Sequence, residues 1–248
     1  MIIVKSVSEI EKMKLACKIT AGSLVVAGEK IKAGMTTKEL DKIIHDYIVS
    51  QGAIPSSLGY GGFPASACIS VNDEVIHGIP GKRKILDGDI VSVDVGACIN
   101  GYHGDSCKTF AVGKISKEAQ DLLDATEASL YIGIEAAKPG ARIGDISHAI
   151  EEYIVSKGYA IVKQYVGHGV GRDFHEDPEV PNYGKPGHGP KLVPGMTIAI
   201  EPMVNIKGEG VRVKPDQWTV VTTSGSLSAH FEHTIAITSN GAMILTKP

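Results

Sequence analysis

Three acidic residues of this chain lie where ionisation is costly. Asp94 is embedded in IVSVDVGACI, Glu201 in TIAIEPMV and Glu232 in AHFEHTIAIT, runs of β-branched and aliphatic residues that read as buried strands. A carboxylate in such surroundings needs a cation beside it. The nearby strands offer few lysines or arginines, so a metal ion is the economical partner. Asp105 in GYHGDSCKTF and His168 in YVGHGVGRDFH complete a candidate set, with Gly167 and Gly169 leaving room for backbone to crowd around the imidazole. Each residue alone reads more often as a cap, an ion-pair partner or an ordinary loop or core histidine. It is their joint occurrence, with Asp94 and Glu201 in matching repeats, that favours ligands. Four carboxylates and one imidazole together carry too many ligands and too much negative charge for one divalent ion. They suit two ions ~3.5–4 Å apart that share bridging carboxylates. An oxygen-rich set with one His also differs from a structural zinc site. Co, Mn, Fe(II) and Zn all suit it.

The elements that must position these residues repeat along the chain. Lys32–Gly52 (KAGMTTKELDKIIHDYIVSQG) aligns with Lys138–Gly158 (KPGARIGDISHAIEEYIVSKG) at an offset of 106, with 8 of 21 positions identical (Lys, Gly, Ile, Tyr, Ile, Val, Ser, Gly). Each reads as a turn and then an amphipathic helix ending at a glycine. Helix-forming stretches at Ser8–Lys30 and Ser116–Ala137 precede them. Downstream, KILDGDIVSVD (84–94) aligns with KLVPGMTIAIE (191–201) at an offset of 107, so Asp94 and Glu201 occupy matching positions. Two matches in the same order point to an ancient duplication. The expected fold is α+β, with halves of roughly 1–112 and 113–248, a pseudo-twofold axis and a site between them.

Composition narrows the function. With 248 residues the chain can bury a large core as one catalytic domain, and a formal charge of −3 without basic blocks gives no footprint for DNA. No apolar run approaches the ~20 residues that cross a bilayer. Cys17, Cys68, Cys98 and Cys107 form no CxxC pair, and nothing at Met1–Glu9 resembles a secretory signal. The expected location is the reduced cytoplasm, and the expected state a monomer.

Six ordered stretches resemble the type I methionine aminopeptidases of the pita-bread fold: SVNDEVIHGIP (70–80), DIVSVDVG (89–96), GYHGDSCKTF (101–110), VGHGVGRDFHEDPEVPNY (166–183), GMTIAIEPMV (195–204) and SAHFEHTIAIT (228–238). The resemblance implies a central antiparallel sheet covered by helices. It implies that Asp94, Asp105, His168, Glu201 and Glu232 hold two divalent ions, with Asp105 and Glu232 bridging. It also implies hydrolytic removal of an initiator methionine before a small second residue, by a hydroxide bridging the ions. Glu201 would handle the proton, and His77 and His175 would be catalytic without being ligands. Tyr60, Phe63, Cys68, Phe174 and Trp218, with His77 and His175, would surround the substrate. Ser57 departs from the cysteine that some members carry there, which bears on pocket shape and leaves the chemistry intact.

The implied partners are N-termini of nascent chains, with the ribosome expected nearby. A pita-bread X-Pro peptidase is the nearest rival. A type II enzyme would carry a long insertion between the last two glutamates, whereas 31 positions separate Glu201 from Glu232. A non-catalytic relative or a creatinase-like hydrolase would lack part of the ligand set, which is complete here.

Overall fold

The structure, a computed structural model, describes residues 1–247. Four helices form where the sequence supplies both a start signal and an apolar face. Helix α1 (Val7–Lys30) and helix α2 (Thr37–Ser50) each open on a capping box, Ser6 with Glu9 and Thr36 with Glu39. In α3 (Lys117–Ala136) the Ser116 hydroxyl accepts from Ala119 N–H. Helix α4 (Ile143–Ser156) has Arg142 at its cap, and the Asp145 carboxylate accepts the Arg142 N–H instead.

The helices cover one face of a nine-stranded sheet whose pairs are all antiparallel. Its main path runs Ile54–Pro55, Ile90–Ile99, Tyr102–Ala111, Glu232–Thr238, Thr197–Ile200, Gly167–Gly169, Glu176–Val180. Cys68–Val71 pairs with Ile90–Ile99, and Gly241–Ile244 with Glu232–Thr238. Alternation along each strand separates two environments. Val91, Val93, Val95 and Ala97 face α1 and α2, packing with Ile19, Leu40 and Ile44. Ile198, Ile200, Ile235 and Ile237 pack with Leu122, Ile146 and Ile150 of α3 and α4. The intervening residues, Asp94 among them, face the other side.

The pseudo-twofold arrangement is visible in the pairing. Helices α2 and α4 begin and end 106 positions apart. The pairs Ile54–Cys98 and Pro55–Ala97 recur as Ala160–Asn205 and Ile161–Val204. Bridges at Thr36–Lys84 and Arg142–Lys191 recur in the same way. The axis passes between Tyr102–Ala111 and Glu232–Thr238, the middle pair of the sheet.

One local feature departs from the sequence reading. Glu201 does not sit inside a strand. The ladder stops at Ile200, resumes at Met203–Asn205, and its partner stops at His230 and resumes at Glu232. Pro202 lacks an N–H for the ladder, and Phe231 N–H reaches only the Pro202 carbonyl, at 3.4 Å. The register is the same on both sides of the gap, with Ile200 opposite His233 and Met203 opposite His230.

Candidate metal centre

Strand register alone assembles most of the site. Cys68 pairs with Asp94, Asp94 with Cys107, and Cys107 with Glu232. Glu201 follows one step beyond the Ile200–His233 pair, opposite Glu232. Paired residues project to the same face, so a row runs Cys68–Asp94–Cys107–Glu232–Glu201 across the sheet. Asp105, two residues from Cys107, projects to that face as well. Thr234 donates its hydroxyl to Asp105 O at 2.7 Å, and Ser106 donates to Glu232 O at 2.7 Å. These bonds tie the middle strands where the halves meet.

His168 reaches the same point from the next strand. Its flanking glycines permit close approach: a Cβ on Gly167 would lie 2.4 Å from Ala199 O, and one on Gly169 2.3 Å from Asp177 O. The Nδ1–H of His168 donates to Gly169 O at 2.8 Å, which leaves Nε2 as the free ring nitrogen. That nitrogen lies 3.5 Å from Asp105 Oδ2 and 3.6 Å from Glu201 Oε1. Ligand atoms of Asp105, His168 and Glu232 fall within 4.8 Å of one another. Asp105 Oδ1 and Glu232 Oε1 are buried without a hydrogen-bond partner.

The electrostatics match this crowding. Burial, then Asp105 and Glu201, push Asp94 well above the ordinary carboxylate range. Burial and Asp105 do the same to Glu201. Burial, then Asp105, Glu201 and Asp94, raise Glu232. A site that disfavours its own charges this strongly favours any cation placed among them.

Above the carboxylates lies a cavity of about 390 Å³. All twelve residues selected in the sequence line it, together with Ser57. Phe63, Cys68 and Trp218 form its apolar end, with Phe63 and Trp218 edge to face at 5.2 Å. Phe174 rests against Gly96, where a Cβ would come within 2.6 Å of the ring. The His175 ring lies 4.0 Å from that of His168 and stacks on Tyr60 at 4.9 Å. Burial, then His168, lower His175 to about 3, so it is neutral at ordinary pH. His77 adopts φ 56°, a strained region for a residue with a Cβ. Its ring lies edge to face with Tyr165 and Trp218, and burial lowers it to about 4.

The turn carrying Phe174 and His175 is held from below. Lys5 and Glu176 form an ion pair with side chains only 2% and 3% exposed. Glu176 Oε1 also accepts Asp173 N–H at 3.3 Å, and Gly171 N–H donates to Asp173 O at 3.1 Å.

Sequence reasoning missed several neighbours. Gln164, Tyr165 and Val166 form a wall of the cavity. Cys107 sits in the middle of the acidic row, its thiol pushed up by burial and by Asp94 and Glu232. His230 is 1% exposed, lies with Nε2 3.7 Å from Glu201 Oε2, and is lowered to about 3 by burial. Strand alternation was the available signal, since Cys107 and His230 stand two residues from Asp105 and Glu232.

The profile of metallopeptidase family M24 matches residues 11–239. The chain belongs to this family. It is 55% identical over 247 residues to the methionine aminopeptidase of Clostridium acetobutylicum, covering 99% of each chain. Crystal structures of methionine aminopeptidases from Rickettsia prowazekii (40% identical) and Thermotoga maritima (48%) superpose with TM-scores of 0.98, covering 100% of each chain. Within M24, the chain falls with these aminopeptidases and shares their pita-bread fold.

An M24 metallopeptidase needs divalent metal, and this donor set fits one. His168 Nε2 lies 3.5 Å and 3.6 Å from two carboxylate oxygens, and two further buried carboxylate oxygens are orphaned. That is the chemistry of a cation site rather than of a hydrogen-bond network.

Proposed function

We propose that this protein removes the N-terminal methionine of nascent polypeptides whose second residue is small, with two divalent ions held by Asp94, Asp105, His168, Glu201 and Glu232. The observation that carries the proposal is the placement of those five residues at the floor of a cavity whose far end is lined by apolar Phe63, Cys68 and Trp218. Asp105 and Glu232, whose Oδ1 and Oε1 are buried without partners, would hold both ions between them. Co, Mn, Fe(II) or Zn would serve. Bound there, the ions would activate water and polarise the scissile carbonyl.

The chain's own residues do the rest. Phe63, Cys68, Phe174 and Trp218 hold the methionine side chain, and Tyr60 packs on His175 at the mouth. The acidic row favours a free ammonium and disfavours an acylated terminus. Glu201 accepts the proton of the attacking water and passes it to the leaving amine. His175 and His77, both neutral, offer N–H groups to the developing oxyanion and to the scissile amide nitrogen.

The reading extends to a single catalytic domain of duplicated halves, roughly 1–112 and 113–248, acting as a cytoplasmic monomer near the ribosome. Among the described residues, no helix is long and apolar enough to cross a membrane.

The test is hydrolysis of Met-Ala-Ser, with Pro-, Leu- and acetyl-Met-blocked peptides as controls. Mn or Co is added and then removed by chelator. Metal-dependent release of methionine from the unblocked Met peptide alone is expected. Cleavage of X-Pro peptides instead would overturn the substrate, and no cleavage with any metal would overturn the enzyme.

A further inference from the structure

The pseudo-twofold register places His230 in an informative position. In the first half, Asp94 pairs with Cys107 and Gly96 with Asp105. In the second half, Glu201 lies opposite Glu232, and Met203 pairs with His230. Glu201 therefore matches Asp94, Met203 matches Gly96, and His230 matches Asp105. The position that carries an acidic residue of the centre in one half carries an imidazole in the other.

His230 behaves as a residue built for that place. Its backbone is fixed from both sides: its N–H donates to Thr109 Oγ1 at 3.0 Å, and its carbonyl accepts the Thr109 hydroxyl at 2.8 Å. The ring is 1% exposed, and neither nitrogen has a hydrogen-bond partner. A buried imidazole with two unused nitrogens is costly unless a nearby acceptor takes its proton. Glu201 supplies one. Its Oε2 lies 3.7 Å from His230 Nε2, while Oε1 lies 3.6 Å from His168 Nε2. The two oxygens thus face different histidines, on opposite sides of one carboxylate.

We infer that His230 is a positioning residue for Glu201: its Nε2–H closes onto Oε2 and fixes the carboxylate's rotation, so that Oε1 stays aimed at the His168 side of the centre. The gap in the ladder at Glu201–Pro202 makes this support necessary, because no strand pairing holds Glu201 at that point. Asp94, inside an unbroken strand, needs no such help. The inference rests on the reading of Glu201 as ligand and proton carrier.

The experiment compares H230L, which removes the donor, with H230Q, which keeps one. Four readouts are taken: kcat and KM on Met-Ala-Ser, the Mn²⁺ binding isotherm, and the unfolding temperature of the metal-free protein. H230L should lose about tenfold or more in kcat and several-fold in Mn²⁺ affinity, the scale for groups that orient a ligand, with KM within about twofold. H230Q should recover most of both losses. Unfolding temperatures of the two variants should agree. Wild-type kcat and Mn²⁺ affinity in H230L would overturn the inference, as would H230Q impaired as deeply as H230L. Should leucine prevent folding, H230M takes its place under the same criteria. An E201Q arm separates the two levels: an active E201Q defeats the reading of Glu201 itself, whereas an inactive one leaves His230 to be judged on its own variants.

Discussion

The two halves deliver their share of the centre by different means. The first half uses one unbroken hairpin, Ile90–Ile99 with Tyr102–Ala111, closed by Asn100–Gly101 at φ 55° and 73°, the left-handed pair that a two-residue turn requires. Asp94 and Asp105 ride on its continuous ladder. The second half interrupts the equivalent ladder at Glu201–Pro202 and Phe231. It fills the space between Glu201 and Glu232 with an excursion that carries Trp218 and four short strands, Met203–Asn205, Val211–Val213, Val220–Thr222 and Ser228–His230. A regular hairpin fixes ligands rigidly and offers little else. A broken one gives up pairing around Glu201 and gains a pocket wall.

The largest expected effects test the chemistry assigned to the broken half. Glu201→Gln should lower kcat by roughly 10²–10⁴-fold, the usual worth of a positioned acid–base group. His175→Ala should cost roughly 10²-fold, as for one oxyanion donor. Steady-state kinetics with excess Mn²⁺ checks both. A Glu201→Gln enzyme within threefold of wild type would erase the distinction drawn between Glu201 and its mate Asp94.

The Lys5–Glu176 pair gives the next test. Breaking a buried pair by removing one partner typically costs about 3–5 kcal/mol. Lys5→Met should therefore lower the unfolding temperature, and Lys5→Met/Glu176→Leu should recover much of the loss. If Lys5→Met proved as stable as wild type, the account of how Lys5 of the first half holds the Phe174–His175 turn of the second would fail.

Much of the first half was legible in the sequence, because its determinants are local. The alternation around Asp94, the turn-then-helix pattern at 32–52 and the helix-forming stretch at 8–30 each depend on residues close by in the chain. The centre was legible too, since carboxylates in aliphatic runs stand out without any fold. Less was legible where distant segments meet. Lys5 finds Glu176 across 171 positions, and nothing local to either residue announces a partner. The gap at Glu201 hid within TIAIEPMV, whose aliphatic residues read as one strand, although Pro202 marked the end of pairing. His230 and Cys107 have no motif of their own, and only strand alternation, two residues from Glu232 and Asp105, pointed to them.

A smaller effect should appear in the metal-free protein. Asp94, Glu201 and Glu232 hold protons more tightly folded than unfolded, where values near 3.8 and 4.5 apply. Their contribution to stability is thus fully present at and below those values, and it is lost as pH rises through the raised ones. Thermal unfolding between about pH 5.5 and 8 should show the chelated protein weakening as pH rises, and added Mn²⁺ should counter the trend. A pH-independent chelated protein would mean that the carboxylates are not crowded. The smallest effect belongs to the rigid half: Val93→Ala, buried beneath α1 and α2, should cost about 1–3 kcal/mol of stability while kcat stays near wild type. A large loss of kcat there would show that the hairpin is less rigid than its pairing indicates.

The most direct test of the central claim is the number of ions bound. Equilibrium dialysis against Mn²⁺ with elemental analysis should give two ions per chain for the wild type, and clearly fewer for Asp105→Asn and Glu232→Gln, the two positions proposed to bridge, one from each half. One ion per chain in the wild type, or undiminished binding in both variants, would contradict a two-ion centre built where the halves meet.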